Sequence, residues 1–346
     1  MRAIGLLTDT HLLDRSLSIV SDRTRNAVFG VLVDGAPRYF VKWALPGEPA
    51  SRASIGREAA FYTSPAQRLV ARLVPRFIVH DDELGMLVIE MLDGADNLAV
   101  VSRRTEAPDP ALAASLGTRV GELHSRWALP MPAQSLPFSF GGTPPWVLDL
   151  CDSTSSPYGP NAGHEQLIAA LCGAAKLRGG LEALRAEWRC ETLIHGDLRW
   201  ENVLIHPGSD GRPAFKLIDW ETVDAGDPAW DAGTIVQSYL ASPLLERHAG
   251  RVDDERRFVA DLYAALDRVR PALSRFWQAY ARARGIDTGA DGAARELVMR
   301  YAAARMVQTV FEYLNSHAPT PRIWMLIQFA ENLFADPAAA AVDFLS

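Results

Sequence analysis

The chain has 346 residues, 48% hydrophobic and 22% charged, an ordinary globular composition with apolar mass for one large core or two modest ones. Its formal net charge is −7 with both signs interspersed, so no basic face points to nucleic acid or an anionic membrane as a partner. No stretch approaches 18 uninterrupted apolar residues, and the opening "MRAIGLLTDTHLLDR" has too short an apolar run for a secretory signal, so nothing is expected to span or cross a membrane.

Two smaller features of composition matter. Cys151, Cys172 and Cys190 make no C-x-x-C pair and no even disulfide framework, which argues against structural zinc and predicts a reducing, cytoplasmic setting. Of 35 basic residues only Lys42, Lys176 and Lys216 are lysines. A lysine in this chain is an anomaly that needs a reason.

In chain order, residues 17 to 43 predict an antiparallel meander, with β-type runs at 17–20, 27–33 and 38–43 separated by a polar turn and the Asp-Gly turn "VDGAP". A helix is predicted in "SIGREAAFYTSPAQRLV", with Glu58 in its first half, and a strand in "MLVIEMLDG" ending at Gly94. The composition then turns helical. Pro110 opens "PALAASLGTRVGELHSRW", whose apolar positions recur every three to four residues. The shift near residue 93 predicts two lobes, 1–93 and 94–346. Residues 130–163 carry seven prolines and form an insertion too long for a simple connection, either functional or a bare surface excursion. Helical patterns dominate from 164, and again from about 231 to the end.

Between those helical stretches lies "LIHGDLRWENVLI", followed by a second β-type run. "NVLIH" (202–206) and "AFKLID" (214–219) flank the turn-rich "PGSDGRP" and predict a hairpin. Antiparallel pairing brings Asn202, at the start of one strand, to the same open end as Asp219, at the finish of the other. An amide carbonyl and a carboxylate converging there suit a hard cation such as Mg²⁺, which completes its shell with water and phosphate. Asp197, five residues upstream on the loop feeding that end, is placed to accept a proton from a hydroxyl. A single loop aspartate is ordinarily a turn or cap residue; the joint spacing is what makes these three a candidate site.

"HGDLRWEN" followed by "LIDWETVDAGDPAWDAG" resembles the catalytic and metal-binding segments of the aminoglycoside phosphotransferase and choline kinase-like family, relatives of the protein kinases, over residues 17–314. The resemblance implies an α+β, two-lobed protein-kinase-like fold, with a small antiparallel-sheet N-lobe and a larger, mainly helical C-lobe. It implies Asp197 as the catalytic aspartate, Asn202 and Asp219 as ligands of Mg²⁺, and ATP as phosphoryl donor. Arg199 stands where protein kinases place a lysine that steadies the transferring phosphate, and its planar fork can grip two phosphate oxygens. His195 is expected to orient the loop. Asp231 caps the helix it opens or, by the resemblance, braces the catalytic loop from below. Asp227 and Glu221 are further wall candidates.

On the nucleotide side, Lys42 lies in the alternating strand "YFVKW", where a partly buried ammonium needs a partner. Glu58, sixteen residues on, is the candidate, and the pair resembles the strand-lysine and helix-glutamate pair that grips phosphates in kinases. The loop "SDRTRN" lacks the glycines of a kinase phosphate loop, leaving Ser21 and Asn26 as possible phosphate contacts. Glu90, Met91 and Leu92 occupy the family's adenine hinge.

The acceptor is less determined. The family phosphorylates hydroxyls of small molecules, antibiotics and metabolites among them, so the resemblance implies a hydroxyl-bearing small molecule. One alternative is a Ser or Thr of a ribosomally made peptide, with Trp146 lining a groove and a partner lyase eliminating the phosphate. Another is a catalytically inactive nucleotide-binding pseudokinase, against which stands the presence of Lys42, Glu58, Asp197, Asn202 and Asp219 together.

Overall fold

The computed structural model describes residues 5–10, 17–23, 26–127, 141–152, 162–208, 211–246, 255–287, 291–314 and 321–346. These fall into two compact units, the first drawn from residues 1–98 and 201–223, the second from 99–127, 141–200 and 224–346.

The first unit is built on a five-stranded antiparallel sheet. Strands β1 (Leu17–Arg23), β2 (Ala27–Val33) and β3 (Ala36–Trp43) form the expected meander, and β4 (Phe77–Asp81) and β5 (Met86–Glu90) complete the order β1-β2-β3-β5-β4. One face holds Val31, Val41, Met86 and Val88 in a common apolar cluster. Because side chains alternate across a strand, Lys42 points away from that cluster. The strand expected to run to Gly94 stops at Glu90, and β4 was not foreseen, because "FIVHD" is short and without alternation.

Helix α1 (Pro49–Thr63) follows β3, and the short α2 (Pro65–Leu69) comes after a break. The break sits at Ser64 for a local reason. A residue before proline is pushed out of helical backbone, and Ser64 is extended, with its hydroxyl accepting from the Gln67 amide at 3.4 Å. The single helix expected over 54–70 is therefore two. Its buried face runs through Ser51, Ser54, Ile55, Glu58, Ala59 and Tyr62, the three-to-four spacing of one helical side.

The predicted hairpin also belongs to this unit. Strand β8 (Val203–Pro207) pairs with β9 (Pro213–Leu217), and the two-residue β6 (Asp96–Asn97) adds to the outer side of β8.

The second unit is mainly helical. Asp109 accepts from the Ala111 amide at 2.8 Å and Pro110 takes the first helical position of a helix running to Arg126. The long helices Pro228–Glu246, Glu255–Arg284, Gly292–Leu314 and Pro321–Ala335 account for most of the remainder. A short antiparallel pair, β7 (Thr192–Ile194) with β10 (Asp224–Gly226), carries the approach to "HGD". Of the insertion, residues 130–140 and 153–161 lie outside the described residues. The described part includes a 3₁₀ turn, Trp146–Asp149, tied by Arg185 Nε donating to Asp149 at 2.6 Å.

Two expectations are corrected here. Cys151 and Cys172 form a disulfide, with Cα atoms 5.6 Å apart and a sequence separation of 21, so the cysteines do not argue for a reducing compartment. Their spacing fits no motif, and only the packing of the segment after Trp146–Asp149 beside the helix Ala162–Gly173 brings them together. Asp231 does not cap its helix, which begins at Pro228; Asp227 does, accepting from the Ala229 amide at 2.9 Å. Among the described residues no helix is long and apolar enough to cross a membrane.

Candidate active site

In the first unit the anomalous lysine has two partners. Lys42 Nζ donates to Glu58 Oε2 and to Asp219 Oδ1, each at 2.5 Å, the latter contact joining residues 177 apart in sequence. Glu58 is 1% exposed and Lys42 6%. Burial disfavours the charged ammonium, but the two carboxylates outweigh it and hold Lys42 charged well above the ordinary lysine range. For Glu58 the balance goes the other way: burial raises its carboxyl despite the lysine.

Asp219 reaches the lysine from the far side of the hairpin. The amide of Ile218 donates to the carbonyl of Asn202 at 3.1 Å, extending the β8–β9 ladder by one bond and placing Asn202 and Asp219 at the same open end. Asp219 has φ +69°, one of two non-glycine residues with positive φ among those described, a conformation that aspartate tolerates better than most residues. The turn is anchored behind it. Trp220, fully buried, stacks on Phe61 with centroids 4.2 Å apart, and Glu221 is latched to α1 by the Ser54 hydroxyl and, through its carbonyl, by Arg57 Nε at 3.0 Å. Asn202 itself is buried.

The remaining nucleotide candidates are less converged. Ser21 lies in β1 opposite Phe29. Asn26 is buried, and its Oδ1 accepts from the Ser51 hydroxyl at 2.6 Å, tying the start of β2 to the start of α1. At the hinge, the amides of Glu90 and Met91 are already engaged, by the carbonyls of Arg76 at 2.8 Å and Arg38 at 3.2 Å; Leu92 is half-buried. Gly30 has a steric reason here: a Cβ on it would stand 3.0 Å from Met91 Cε.

In the second unit the loop after β7 is held almost entirely through its backbone. Asp231, completely buried, accepts from the amides of His195 at 2.7 Å and Gly196 at 3.0 Å, with His124 Nε2 3.2 Å away. Trp230 Nε1 donates to the Gly196 carbonyl at 2.8 Å, and the Asp197 amide donates to His195 Nδ1 at 3.3 Å. Gly196 turns the chain at φ +84°, where a side chain would be strained. The result is a rigid frame presenting Asp197.

The carboxylate so presented is bracketed by arginines. Arg199 Nε stands 3.3 Å from Asp197 Oδ2, and Arg305 Nη2 donates to Oδ1 at 2.9 Å. Glu312 serves both cations: it accepts from Arg305 Nη1 at 2.8 Å and Nη2 at 3.2 Å and lies 3.6 Å from Arg199 Nη1. Burial works against the charged form of Asp197, yet Arg199 and Arg305 outweigh it and hold its carboxyl below the usual range. Arg305 and Glu312 were not foreseen. The signal was an arginine inside the apolar run "YAAARMVQTVF" with a glutamate seven residues on, close to two helical turns. Leu198 and Trp200 are buried as packing, Trp200 edge-on to Tyr239 at 4.6 Å, and Trp146, the residue of the peptide alternative, sits edge-on to Phe311 at 5.4 Å.

The antiparallel sheet with its lysine–glutamate pair, the aspartate-bearing hairpin and the mainly helical remainder define the class of protein-kinase-like phosphotransferases. The chain belongs to the phosphotransferase enzyme family (APH), whose model matches residues 16–294. Solved structures share the fold at low identity. An ethanolamine kinase from Plasmodium vivax superposes with a TM-score of 0.55 at 12% identity, covering 99% of this chain and 86% of its own. An amicoumacin kinase, hAmiN, in complex with AMP-PNP, Ca²⁺ and Ami gives 0.56 at 12%, covering 97% and 92%. APH(2")-IIia bound to GDP and kanamycin gives 0.53 at 16%, covering 94% of each chain. No curated protein sequence matches the chain significantly.

Proposed function

We propose that this phosphotransferase moves the γ-phosphoryl group of ATP, with Mg²⁺, to a hydroxyl of a small molecule. The observation that carries the reading is the double ion pair of Lys42, which joins the strand lysine to both the helix glutamate and the hairpin aspartate. Lys42, positioned by Glu58, would hold the nucleotide phosphates, and the hinge at Glu90 to Leu92 the base. Asn202 and Asp219 would hold the magnesium. The donor set fits that ion: both donors are oxygens, and among the described residues no cluster of three or more His, Cys, Asp or Glu could bind a metal by itself, whereas Mg²⁺ needs few protein ligands when phosphates and water supply the rest. When bound, it supplies charge compensation on the phosphates.

On the acceptor side, Asp197 would orient the hydroxyl and take its proton, Arg199 would steady the transferring group, and His195 and Asp231 would keep the loop in shape. Hydroxyl-bearing molecules named with the structural neighbours, ethanolamine, kanamycin and amicoumacin, are the first acceptors to try. Acceptor-stimulated release of ADP from MgATP tests the reading, and a broad hydroxyl panel with no stimulated release would refute it. Calorimetry adds a second check: Asp219→Ala is expected to lose Mg-dependent ATP binding.

A further inference from the structure

The second unit buries one cation that phosphoryl transfer does not by itself require. Arg305 is 1% exposed, and a guanidinium that cannot shed its proton is tolerated there only when well paired. Glu312 on the same helix already pairs it, with Nη1 and Nη2 donating to separate carboxylate oxygens at 2.8 and 3.2 Å. That fork would suffice for burial. The additional bond from Nη2 to Asp197 Oδ1 at 2.9 Å, across 108 residues of sequence, is therefore not explained by neutralising Arg305. Its orientation also has a cost, since Nε is buried with no hydrogen-bond partner among the described residues.

The two arginines around Asp197 differ in exposure. Arg305 is locked inside its helix packing, whereas the side chain of Arg199 is 37% exposed and lies 3.3 Å from Oδ2. One oxygen of the carboxylate is thus held by a buried cation and the other by a partly exposed one that also lies 3.6 Å from Glu312.

We propose that Arg305, set by Glu312, is the positioning residue of Asp197: it fixes Oδ1 so that Oδ2 is the oxygen offered to the acceptor hydroxyl, and Arg199 is the cation that leaves Oδ2 for the transferring phosphoryl group. The inference rests on the phosphotransferase reading of this loop. In the step it serves, the acceptor oxygen forms a bond to the γ-phosphorus while the bond from that phosphorus to the β,γ-bridging oxygen breaks. The electron pair stays on ADP, and the acceptor proton passes through Asp197 Oδ2 to solvent. A carboxylate pinned on one side by a buried guanidinium works mainly by aiming the hydroxyl, as suits a loose transition state that needs alignment more than early deprotonation.

The experiment uses the full chain and four variants: Asp197→Asn, Arg305→Met, Arg305→Lys, and the double variant Arg305→Met/Glu312→Gln, which removes the buried guanidinium together with its partly exposed carboxylate partner and is expected to fold even where the single methionine variant does not. The probes are MgATP alone, with water as acceptor, and MgATP with kanamycin or ethanolamine, read as ADP release; calorimetry gives the MgATP Kd. The methionine and double variants are expected to lose at least 100-fold in kcat with KM for the acceptor and Kd for MgATP within about threefold, and lysine to recover at least tenfold over methionine. A double variant with wild-type kcat would overturn the positioning role, as would lysine no better than methionine. The unaltered chain and Asp197→Asn separate the levels of failure. No acceptor-stimulated ADP release from the unaltered chain overturns the phosphotransferase reading itself, full activity of Asp197→Asn overturns the role given to Asp197, and an inactive Asp197→Asn beside a fully active double variant overturns only the part given to Arg305.

Discussion

The two charged clusters are built as inverses. In the first unit one ammonium, Lys42, is shared by two carboxyl groups, Glu58 and Asp219; in the second one carboxylate, Asp197, is shared by two guanidiniums, which in turn share Glu312. The first cluster has fewer cations than acids and gains from a further positive ion. The second is balanced as it stands, two acids against two arginines, and needs nothing added to remain charged. That difference suits the roles proposed for them, magnesium binding at the first cluster and handling of a neutral hydroxyl at the second.

The contrast breaks most visibly at Asp197. Asp197→Asn keeps the size of the side chain and removes the shared anion, and a loss of about 10²–10⁴ in kcat is expected for removing a group that handles the acceptor proton. MgATP affinity should move by no more than a few-fold, because the residues proposed for the nucleotide belong to the other cluster. An equally large fall in nucleotide binding, measured by calorimetry, would show that the two clusters do not divide the work.

Lys42→Met sharpens the other side. Removing one partner of a buried pair costs about 3–5 kcal/mol, because the remaining charge is left buried, and Glu58 is the carboxyl so stranded. The variant should escape by protonating it. With its lysine gone, Glu58 has a folded pKa raised by burial above its unfolded value, so its contribution to stability is present at low pH and lost as pH rises. The melting temperature of Lys42→Met should therefore approach that of the unaltered chain as pH falls from about 8 toward 5, and adding Glu58→Gln should remove that recovery. A deficit independent of pH would mean that Asp219, not Glu58, bears the loss.

How far each cluster could be read from the sequence follows from its construction. Lys42 and Glu58 are sixteen residues apart on adjoining elements, and lysine is rare in this chain, so both the residues and their pairing stood out. The hairpin could be read because a strand repeats every two residues and an antiparallel register leaves one place for Asn202 beside Asp219. Arg305 could not. It is one of 32 arginines, its partner in the loop is 108 residues away, and no local period specifies how one long helix packs beside that loop. The disulfide escaped for a related reason, two cysteines without a motif, whereas Asp231 was readable only in part: its position near a helix start suggested a cap, and the resemblance alone pointed to the brace its carboxylate makes on the backbone of His195 and Gly196.

The smallest effect is expected at another buried carboxylate, Asp227, held by a backbone amide and a phenol. Asp227 is 4% exposed and accepts from the Ala229 amide at 2.9 Å and the Tyr301 hydroxyl at 3.2 Å. Burial pushes its carboxyl up to about 6, with those hydrogen bonds opposing. Because the folded value lies above the unfolded one, Asp227 favours folding most below about pH 4, and that contribution is lost as pH rises through about 6, at most about 3 kcal/mol over the window. Asp227→Asn keeps an acceptor for the helix amide and cannot ionise, so its unfolding free energy, measured in urea at pH 4.5 and 7, should lose less on going to pH 7 than that of the unaltered chain. The same slope in both proteins would place the pH dependence elsewhere and leave Asp227 as a cap alone. A flatter slope would show that Asp227 is costly when charged, a cost that Arg199 and Arg305 offset at Asp197.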